Sequence, residues 1–350
     1  MALLEVKDLV TYFPHEKGRV QVVDHVSFTV NERECFGIIG ESGCGKSMTA
    51  TSIMRYTDEV GARIAGGEIL FEGRDVLSFN KKQLRDYRGG EVSMIMQNPM
   101  SALDPLFTVG DQLIETIRRH TGVNKKEAYR KAEEIFTFLG IPTDRMKAYP
   151  FELSGGMLQR IAGGIAIGAD PKLIIADEPT TALDATVQLQ YMQLLKKIQK
   201  QTKAAILLIS HDIRVIQMMC SRIAVMYAGQ IVEEGKTGDI MNKPIHPYTK
   251  ALLSAANPHA VKVDRISTIN GQPPFLLNPS DSCRFAERCE HCTKKCLEKS
   301  TQMYVGSSIE HLHRCSLMAE ENGENEECTA DRAEKRRNEA FGTEERKAAV

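Results

Sequence analysis

The sequence lacks any run of roughly 18 consecutive apolar residues, the length that a membrane-spanning helix requires. Met1 to Asp8 carries no basic segment followed by an apolar one, so no secretory signal is expected and the chain is expected in the cytosol. It also lacks net charge. Its 45 Lys+Arg against 46 Asp+Glu leave a formal −1, so no bulk field draws it to nucleic acid or to an anionic membrane surface. No internal repeat is present. Nine cysteines are an odd number, and in a reducing compartment thiols or metal ligands are expected rather than disulfides. At 350 residues with 26% charged side chains, the chain can form two domains, or one large α/β domain with an extension.

What is present is organised around Gly40 to Ser47, Gly-Glu-Ser-Gly-Cys-Gly-Lys-Ser, which fits G-x-x-x-x-G-K-[ST] at every fixed position. The apolar run Cys35 to Ile39 precedes it as a buried strand, and Ser47 to Met54, free of Gly and Pro, opens a helix. That order is the one a phosphate cradle needs: glycines turn the backbone so that N–H groups point inward, and the helix adds its positive end. In this reading Gly40, Glu41, Ser42, Gly43, Cys44, Gly45, Lys46, Ser47 and Met48 surround the phosphates of a bound nucleotide. Lys46 reaches the β- and γ-phosphates, and the Ser47 hydroxyl a Mg²⁺ ion.

Along the chain, Leu4 to Val10 and Val20 to Val30 alternate as antiparallel strands around a loop holding Pro14, His15 and Gly18. A strand pair is expected over residues 68–79, a polar helix from Lys81 to Arg88, and a short strand Val92 to Met96 ending at Gln97. Residues 109–149 read as mainly helical, with Leu113, Ile114 and Ile117 on one buried face and a second helix after Asn124. Leu173 to Ala176 and Ala204 to Ile209 are continuous apolar runs separated by a helix over 185–200, the pattern of a parallel sheet buried on both faces. Ile223 to Met226 and Gln230 to Glu233 form a hairpin around Ala228-Gly229.

Leu173-Ile-Ile-Ala-Asp177-Glu178 sets two carboxylates at the end of an apolar strand. Downstream of a phosphate loop, Asp177 is expected to hold Mg²⁺ and Glu178 to polarise the attacking water as general base. Leu153-Ser154-Gly155-Gly156-Met157-Leu158-Gln159-Arg160 offers a second phosphate grip, with Ser154 as helix cap and two glycines exposing N–H groups at the positive end. One nucleotide does not need two such grips from one subunit. This stretch resembles the signature of ABC transporter ATPases, in which two subunits meet head to tail around each ATP. The resemblance implies an α/β fold: a P-loop nucleotide-binding domain with an antiparallel β subdomain, a helical subdomain carrying the signature, and here a Cys-rich C-terminal extension. It implies that Ser154, Gly155, Gly156 and Gln159 contact the partner subunit's ATP and that Asp184, in Thr181-Ala182-Leu183-Asp184, communicates across the dimer. It further implies that Gln97 contacts Mg²⁺ or the attacking water, that His211, in Ser210-His211-Asp212, contacts the γ-phosphate, and that Phe13, or less readily Tyr12, stacks on adenine.

His246-Pro247-Tyr248-Thr249 with Ala251-Leu252-Leu253, followed by Gly271-Gln-Pro-Pro, resembles the oligopeptide, dipeptide and nickel importer ATPases. In that group Cys-x5-Cys-x6-Cys and a distant Cys are associated with a [4Fe-4S] cluster, and Cys283, Cys289, Cys296 and Cys315 fit the frame. Four thiolates also suit zinc, or can stay unliganded, and Cys292 is a possible substitute ligand. The resemblance implies an ATPase that energises import of dipeptides or oligopeptides, with a nickel or metal-complex importer as the alternative. Its implied partners are a second ABC ATPase subunit, two membrane permease subunits and an extracytoplasmic solute-binding protein, with the chain peripheral at the cytoplasmic face of the cell membrane. A soluble ABC ATPase acting on DNA or ribosomes is the alternative of another class; the chain has neither the paired cassettes nor the coiled-coil or zinc insertion that those tasks call for, and no nucleic-acid partner is expected. The expected divisions are 1–257 for the nucleotide-binding domain, with the helical subdomain at about 98–165, 258–320 for the extension, and 321–350 for a charged tail with few apolar side chains. Two departures stand out: Cys44 where the family often has Ser, expected to make ATP binding sensitive to oxidation, and Gly163-Gly164 within the helix after the signature, where each glycine costs about 1 kcal/mol relative to Ala.

Overall fold

A computed structural model describes residues 1–181, 183–256, 269–298, 301–306, 308 and 310–322. The strands are β1 (Ala2–His15), β2 (Gly18–Asn31), β3 (Cys35–Ile39), β4 (Arg63–Phe71), β5 (Arg74–Asp75), β6 (Val92–Ile95), β7 (Leu173–Asp177), β8 (Ala205–Ser210), β9 (Arg222–Tyr227), β10 (Gln230–Lys236), β11 (Tyr304–Val305) and β12 (Leu312–His313). The helices are α1 (Lys46–Ile53), α2 (Lys81–Tyr87), α3 (Pro99–Ala102), α4 (Val109–Thr121), α5 (Lys125–Phe138), α6 (Gly155–Ile167), α7 (Ala185–Thr202), α8 (Ile213–Met219), α9 (Thr237–Asn242), α10 (Pro247–Ala256), α11 (Lys294–Glu298) and α12 (Ser316–Asn322). Internal contacts divide the chain into two compact units. One holds Met1–Leu4, Val30–Phe36 and Leu70–Ser210; the other holds Glu5–Thr29, Gly37–Ile69 and the described residues from His211 onward. The boundary expected at residue 257 and the charged tail beyond Asn322 lie outside the described residues.

In the first unit the sheet runs β3-β8-β7-β6, with Cys35 and Phe36 as its share of β3. β6, β7 and β8 are parallel, Val92 facing Leu173 and Leu173 facing Ala205, and the register holds through Asp177 opposite Ile209. Every residue of β7 and β8 is buried. Continuous apolar runs form such strands because helices cover both faces. The helical part begins at α4, where the Thr108 hydroxyl accepts from the Asp111 N–H, and Leu113, Ile114 and Ile117 are buried as their spacing predicts. Asn124 caps α5 and Ser154 caps α6 in the same way.

The glycine pair of α6 has a packing reason. A Cβ at Gly164 would stand 2.7 Å from Leu139 Cδ1 and 3.1 Å from Ile135 Cγ2, against α5, and one at Gly163 would stand 3.2 Å from the Tyr191 hydroxyl of α7. The backbone of α6 thus packs tightly on side chains of both neighbours, so that a Cβ at Gly164 requires Leu139 to shift and one at Gly163 crowds Tyr191, and this close packing offsets the weak helix propensity.

In the second unit β1, β2 and β4 run in the order β2-β1-β4, and a further group runs β11-β12-β10-β9-β3 with Gly37–Ile39 of β3. The β1–β2 strands reach further than the alternation predicts, to His15 and Gly18, leaving Glu16 and Lys17 as the turn. Pro14 falls near a strand end, where a missing N–H costs little. β9 and β10 form the expected hairpin, with Ala228 (φ 47°) and Gly229 (φ 87°) both left-handed at its tip, as a two-residue turn of right-handed strands demands. The strand pair expected over 68–79 is shorter on its return: β5 has two residues, and Asp75 then caps a 3₁₀ turn, Val76–Ser78.

The C-terminal segment is pinned to this unit by a buried charge. Glu233 is fully buried, accepts from the Ile245 and His246 N–H groups at 2.8 and 2.9 Å, and lies 2.7 Å from His311 Nε2. Desolvation works against its ionised form, but these hydrogen bonds outweigh it and hold the carboxyl below the usual range.

The α6 contacts predict that Gly164→Val, which inserts methyls into the α5 interface, destabilises the protein by about 1–3 kcal/mol. A thermal melt of the variant checks this; a raised melting temperature would mean that helix propensity, not packing, decides the position.

Candidate functional site

The phosphate loop lies in the second unit. β3 ends at Ile39 and the loop Gly40–Ser47 leads into α1, which begins at Lys46 with Gly45 (φ 106°) as its cap residue. The loop has no room for side chains at its two ends: a Cβ at Gly40 would overlap the Met226 carbonyl oxygen, and one at Gly45 the Val22 carbonyl oxygen. Lys46 is buried, its ammonium donating to the carbonyls of Gly40 and Glu41 at 2.9 Å each. Ser42, Gly43 and Ser47 are exposed, Glu41 and Met48 half-buried. A loop of this shape turns N–H dipoles and one cation toward a bound anion.

Glu41 is held at both ends. Its N–H donates to the buried Tyr248 hydroxyl at 3.0 Å, and its carboxylate accepts from Arg288 Nη1 and Nη2 at 2.9 and 3.2 Å. Sequence reading missed both partners. Tyr248 was legible only as part of a family motif, and Arg288 carried no signal beyond its place beside Cys289.

Cys44 departs from expectation. It is 5% exposed, and burial pushes its thiol above the ordinary value despite the neighbouring Lys46 ammonium. A buried, protonated thiol is a poor nucleophile, so the expected oxidation sensitivity does not hold. Phe13, expected to stack on adenine, is half-buried near the end of β1, while the Arg19 guanidinium covers a face of Tyr12 at 4.6 Å. His211, also in this unit, is exposed beside Asp212, the cap of α8.

The carboxylate pair lies in the first unit, at the C-terminal end of the parallel strands, where open α/β sheets place their ligands. Asp177 ends β7 and is buried. Glu178 follows with φ 45°, a left-handed conformation unusual for a carboxylate residue and of the kind that clusters at functional sites. Its N–H donates to the Ile209 carbonyl at 2.8 Å, and its Oε2 accepts from Gln97 Nε2 at 3.2 Å and from the Thr181 hydroxyl at 2.9 Å. The structure therefore brings Gln97 and Glu178 together across 81 positions. Thr181 joins them, which the sequence placed nearby without assigning it a bond.

In the signature, Ser154 is the cap of α6 and accepts from the Met157 N–H at 3.4 Å, and a Cβ at Gly155 would meet open space. Gln159 does not share that exposed end. It is 2% exposed and lies against the buried Tyr191 of α7. The expectation that Gln159 contacts the partner's ATP is corrected accordingly. Asp184 caps α7, accepting from the Thr186 and Val187 N–H groups at 3.0 Å each.

Cys283, Cys289, Cys296 and Cys315 converge, each within electrostatic range of others in the group, and the Cys283 N–H donates to the Cys296 carbonyl at 2.9 Å. Burial, reinforced by the other thiols, pushes Cys283 up to about 11. Cys292 is exposed. The donor chemistry suits iron–sulfur or zinc, but among the described residues no three Cys, His, Asp or Glu side chains are arranged to hold a metal ion. The expected cluster finds no support, and no step is assigned to it.

The family model described as "ABC transporter" matches residues 23–181, and that of the "Oligopeptide/dipeptide transporter, C-terminal region" matches 232–296. The dipeptide transport ATP-binding protein DppD of Bacillus subtilis is 42% identical over 320 residues, 90% of this chain and 94% of that protein. The chain belongs to the ABC transporter family. The oligopeptide transport ATP-binding protein AppD of Bacillus subtilis is similar at 40% over 324 residues, 92% of this chain and 98% of that protein. The fold matches the dimeric post-hydrolysis structure of the ATP-binding cassette MJ0796 bound to ADP and Pi, with a TM-score of 0.61 at 24% identity over 67% of this chain and 98% of that one. As an ABC ATP-binding subunit, the chain is an ATPase coupled to transport. Among the described residues no helix is long and apolar enough to cross a membrane, so the ABC protein carries no helical span there.

The buried state of Cys44 predicts that a thiol reagent applied to the native protein near pH 7 labels Cys292 and spares Cys44. Peptide mass mapping reads the difference, and rapid labelling of Cys44 would show that the loop opens far more readily than its packing implies.

Proposed function

We propose that this chain hydrolyses ATP to drive import of dipeptides or oligopeptides, working at the cytoplasmic face of the membrane. Its partners are a second ATPase subunit, two permease subunits and an extracytoplasmic solute-binding protein. The observation that carries the reading is similarity to dipeptide and oligopeptide transport ATP-binding proteins at 40–42% identity over about nine-tenths of the chain, with the C-terminal region matched as well. Nothing favours metal-complex import or a task on DNA or ribosomes.

In this reading the phosphate loop, Gly40 to Ser47 with Met48, cradles the ATP phosphates, Lys46 meets the β- and γ-oxygens and Phe13 stacks on adenine. Ser47, Asp177 and Gln97 are the residues that would hold Mg²⁺, and their hydroxyl, carboxylate and amide oxygens are the hard donors that ion prefers. When bound, Mg²⁺ neutralises charge on the phosphates. Glu178 takes the proton of the attacking water; the Gln97 amide and the Thr181 hydroxyl, both bonded to Oε2, aim it. His211 contacts the γ-phosphate. Ser154, Gly155 and Gly156 at the start of α6 grip the partner's ATP, and Asp184 couples the two sites. ATP closes the pair, hydrolysis opens it, and the permeases take up the motion. The divisions 1–257, 258–320 and 321–350 are kept as the proposed domain limits.

The test is Glu178→Gln, which preserves shape while removing the base. ATP affinity stays within about twofold while turnover falls at least about 100-fold, and dipeptide uptake by cells carrying only the variant is lost. Unchanged hydrolysis removes Glu178 from its role; normal hydrolysis with unaltered uptake in a strain lacking the chain removes the peptide cargo.

A further inference from the structure

The segment Cys283 to Cys289 reads Cys-Arg-Phe-Ala-Glu-Arg-Cys, and in the second unit its side chains are directed at the nucleotide loop and its supports. Phe285 packs edge-on against Tyr227 and Tyr248, with ring centroids at 5.3 and 5.5 Å, and those two tyrosines lie 4.5 Å apart. Arg284 donates to the Ala228 carbonyl at the tip of the β9–β10 hairpin and to the Asp24 carboxylate of β2. That hairpin in turn meets the loop, since the Gly229 N–H donates to the Cys44 carbonyl at 2.9 Å.

Arg288 is the direct link. Its side chain is 6% exposed, and besides the two bonds to Glu41 it donates to the Tyr227 hydroxyl at 3.2 Å, the Asn270 carbonyl at 2.8 Å and the Ile269 carbonyl at 3.3 Å. The Arg288 stem packs beside Gly271, whose φ of 77° lies in the left-handed region. A guanidinium held on so many fixed acceptors is a rigid fork, and a carboxylate that takes two of its bonds is fixed in plane and direction.

We infer that Arg288 is a positioning residue of the ATP site: through its paired bonds to Glu41 it sets the entry of the phosphate loop, so that nucleotide affinity depends on the cysteine-bearing segment. Glu41 is the second residue of the loop. Tyr248 fixes its N–H and Arg288 its carboxylate, and Gly40 and Glu41 carry the two carbonyls that hold the Lys46 ammonium. Release of Glu41 therefore frees the carbonyl anchors of the one cation the loop contributes. The extension also reaches the other wall of the nucleotide site. The Asn278 side chain accepts from the Arg19 N–H at 2.9 Å, and the Gln21 N–H donates to the Leu276 carbonyl at 2.9 Å, so the β1–β2 hairpin that carries Phe13 is fastened to the same segment.

The inference rests on the reading of Gly40 to Ser47 as the ATP cradle, and the experiment separates the two. The full chain and its Arg288→Gln, Arg288→Lys, Glu41→Gln, Arg288→Gln/Glu41→Gln and Lys46→Ala variants are titrated with ATP and Mg²⁺ by calorimetry and assayed for turnover. Arg288→Gln and Glu41→Gln each weaken ATP about tenfold, and the double variant loses no more than either, as two ends of one interaction require. Arg288→Lys, with charge but no fork, falls between. In turnover the loss appears in KM for ATP and spares kcat, which a general loss of folded protein would lower. Should Arg288→Gln fail to fold, Glu41→Gln cuts the same contact from the loop side. Binding by Arg288→Gln or Glu41→Gln within twofold of the parent, with Lys46→Ala having lost it, overturns the inference alone. No binding by the parent, or equal binding by Lys46→Ala, overturns the cradle reading and the inference with it.

Discussion

The structure depends on a close approach of backbones that only glycine allows. At Gly40 and Gly45 the phosphate loop lies against the carbonyls of Met226 and Val22. No bulkier residue fits, so the loop's shape is set by β9 on one side and β2 on the other. The loop is therefore not a free-standing motif. Its N–H dipoles point where they do because two strands far away in sequence are in register beside it, and those strands are fixed in turn by the hairpin at Ala228-Gly229 and by the buried Glu233 network.

The same principle recurs where helices meet. Gly163 and Gly164 bring α6 against side chains of α7 and α5 so closely that an added Cβ would make those neighbours shift. This helix carries the signature at its start, so the aim of Ser154 and Gly155 follows from packing two and three turns further on. Polar groups at the site are likewise held by more than one neighbour: Glu178 by Gln97, Thr181 and a backbone carbonyl, Glu41 by Tyr248 and Arg288. A side chain so restrained has little freedom left to lose on binding.

Most of this was legible in the sequence where function is written locally. The loop, the strand ending in Asp177-Glu178 and the cap at Ser154 each occupy a few consecutive residues whose chemistry and spacing decide their form, and the parallel strands announce themselves as unbroken apolar runs. What was not legible depends on side-chain direction or distant contact. Gln159 shares a motif with Ser154 but faces the interior, because five residues further on the helix has turned its side chain by about 140° from the cap, toward Tyr191. Cys44 lies inside the phosphate-loop motif, yet the loop folds its thiol under Gly40. The Glu41–Arg288 pair spans 247 positions, and no local pattern marks either partner. The four cysteines illustrate the converse: their spacing brought them together, but spacing alone does not set ligand geometry.

The central claim, that the ATPase cycle of this chain powers a membrane importer, is tested most directly by isolating the tagged full chain from its native membrane and identifying what comes with it. The account predicts two permease subunits, a second ABC ATPase subunit and a solute-binding protein. Ribosomes or DNA-repair factors in place of permeases would contradict it.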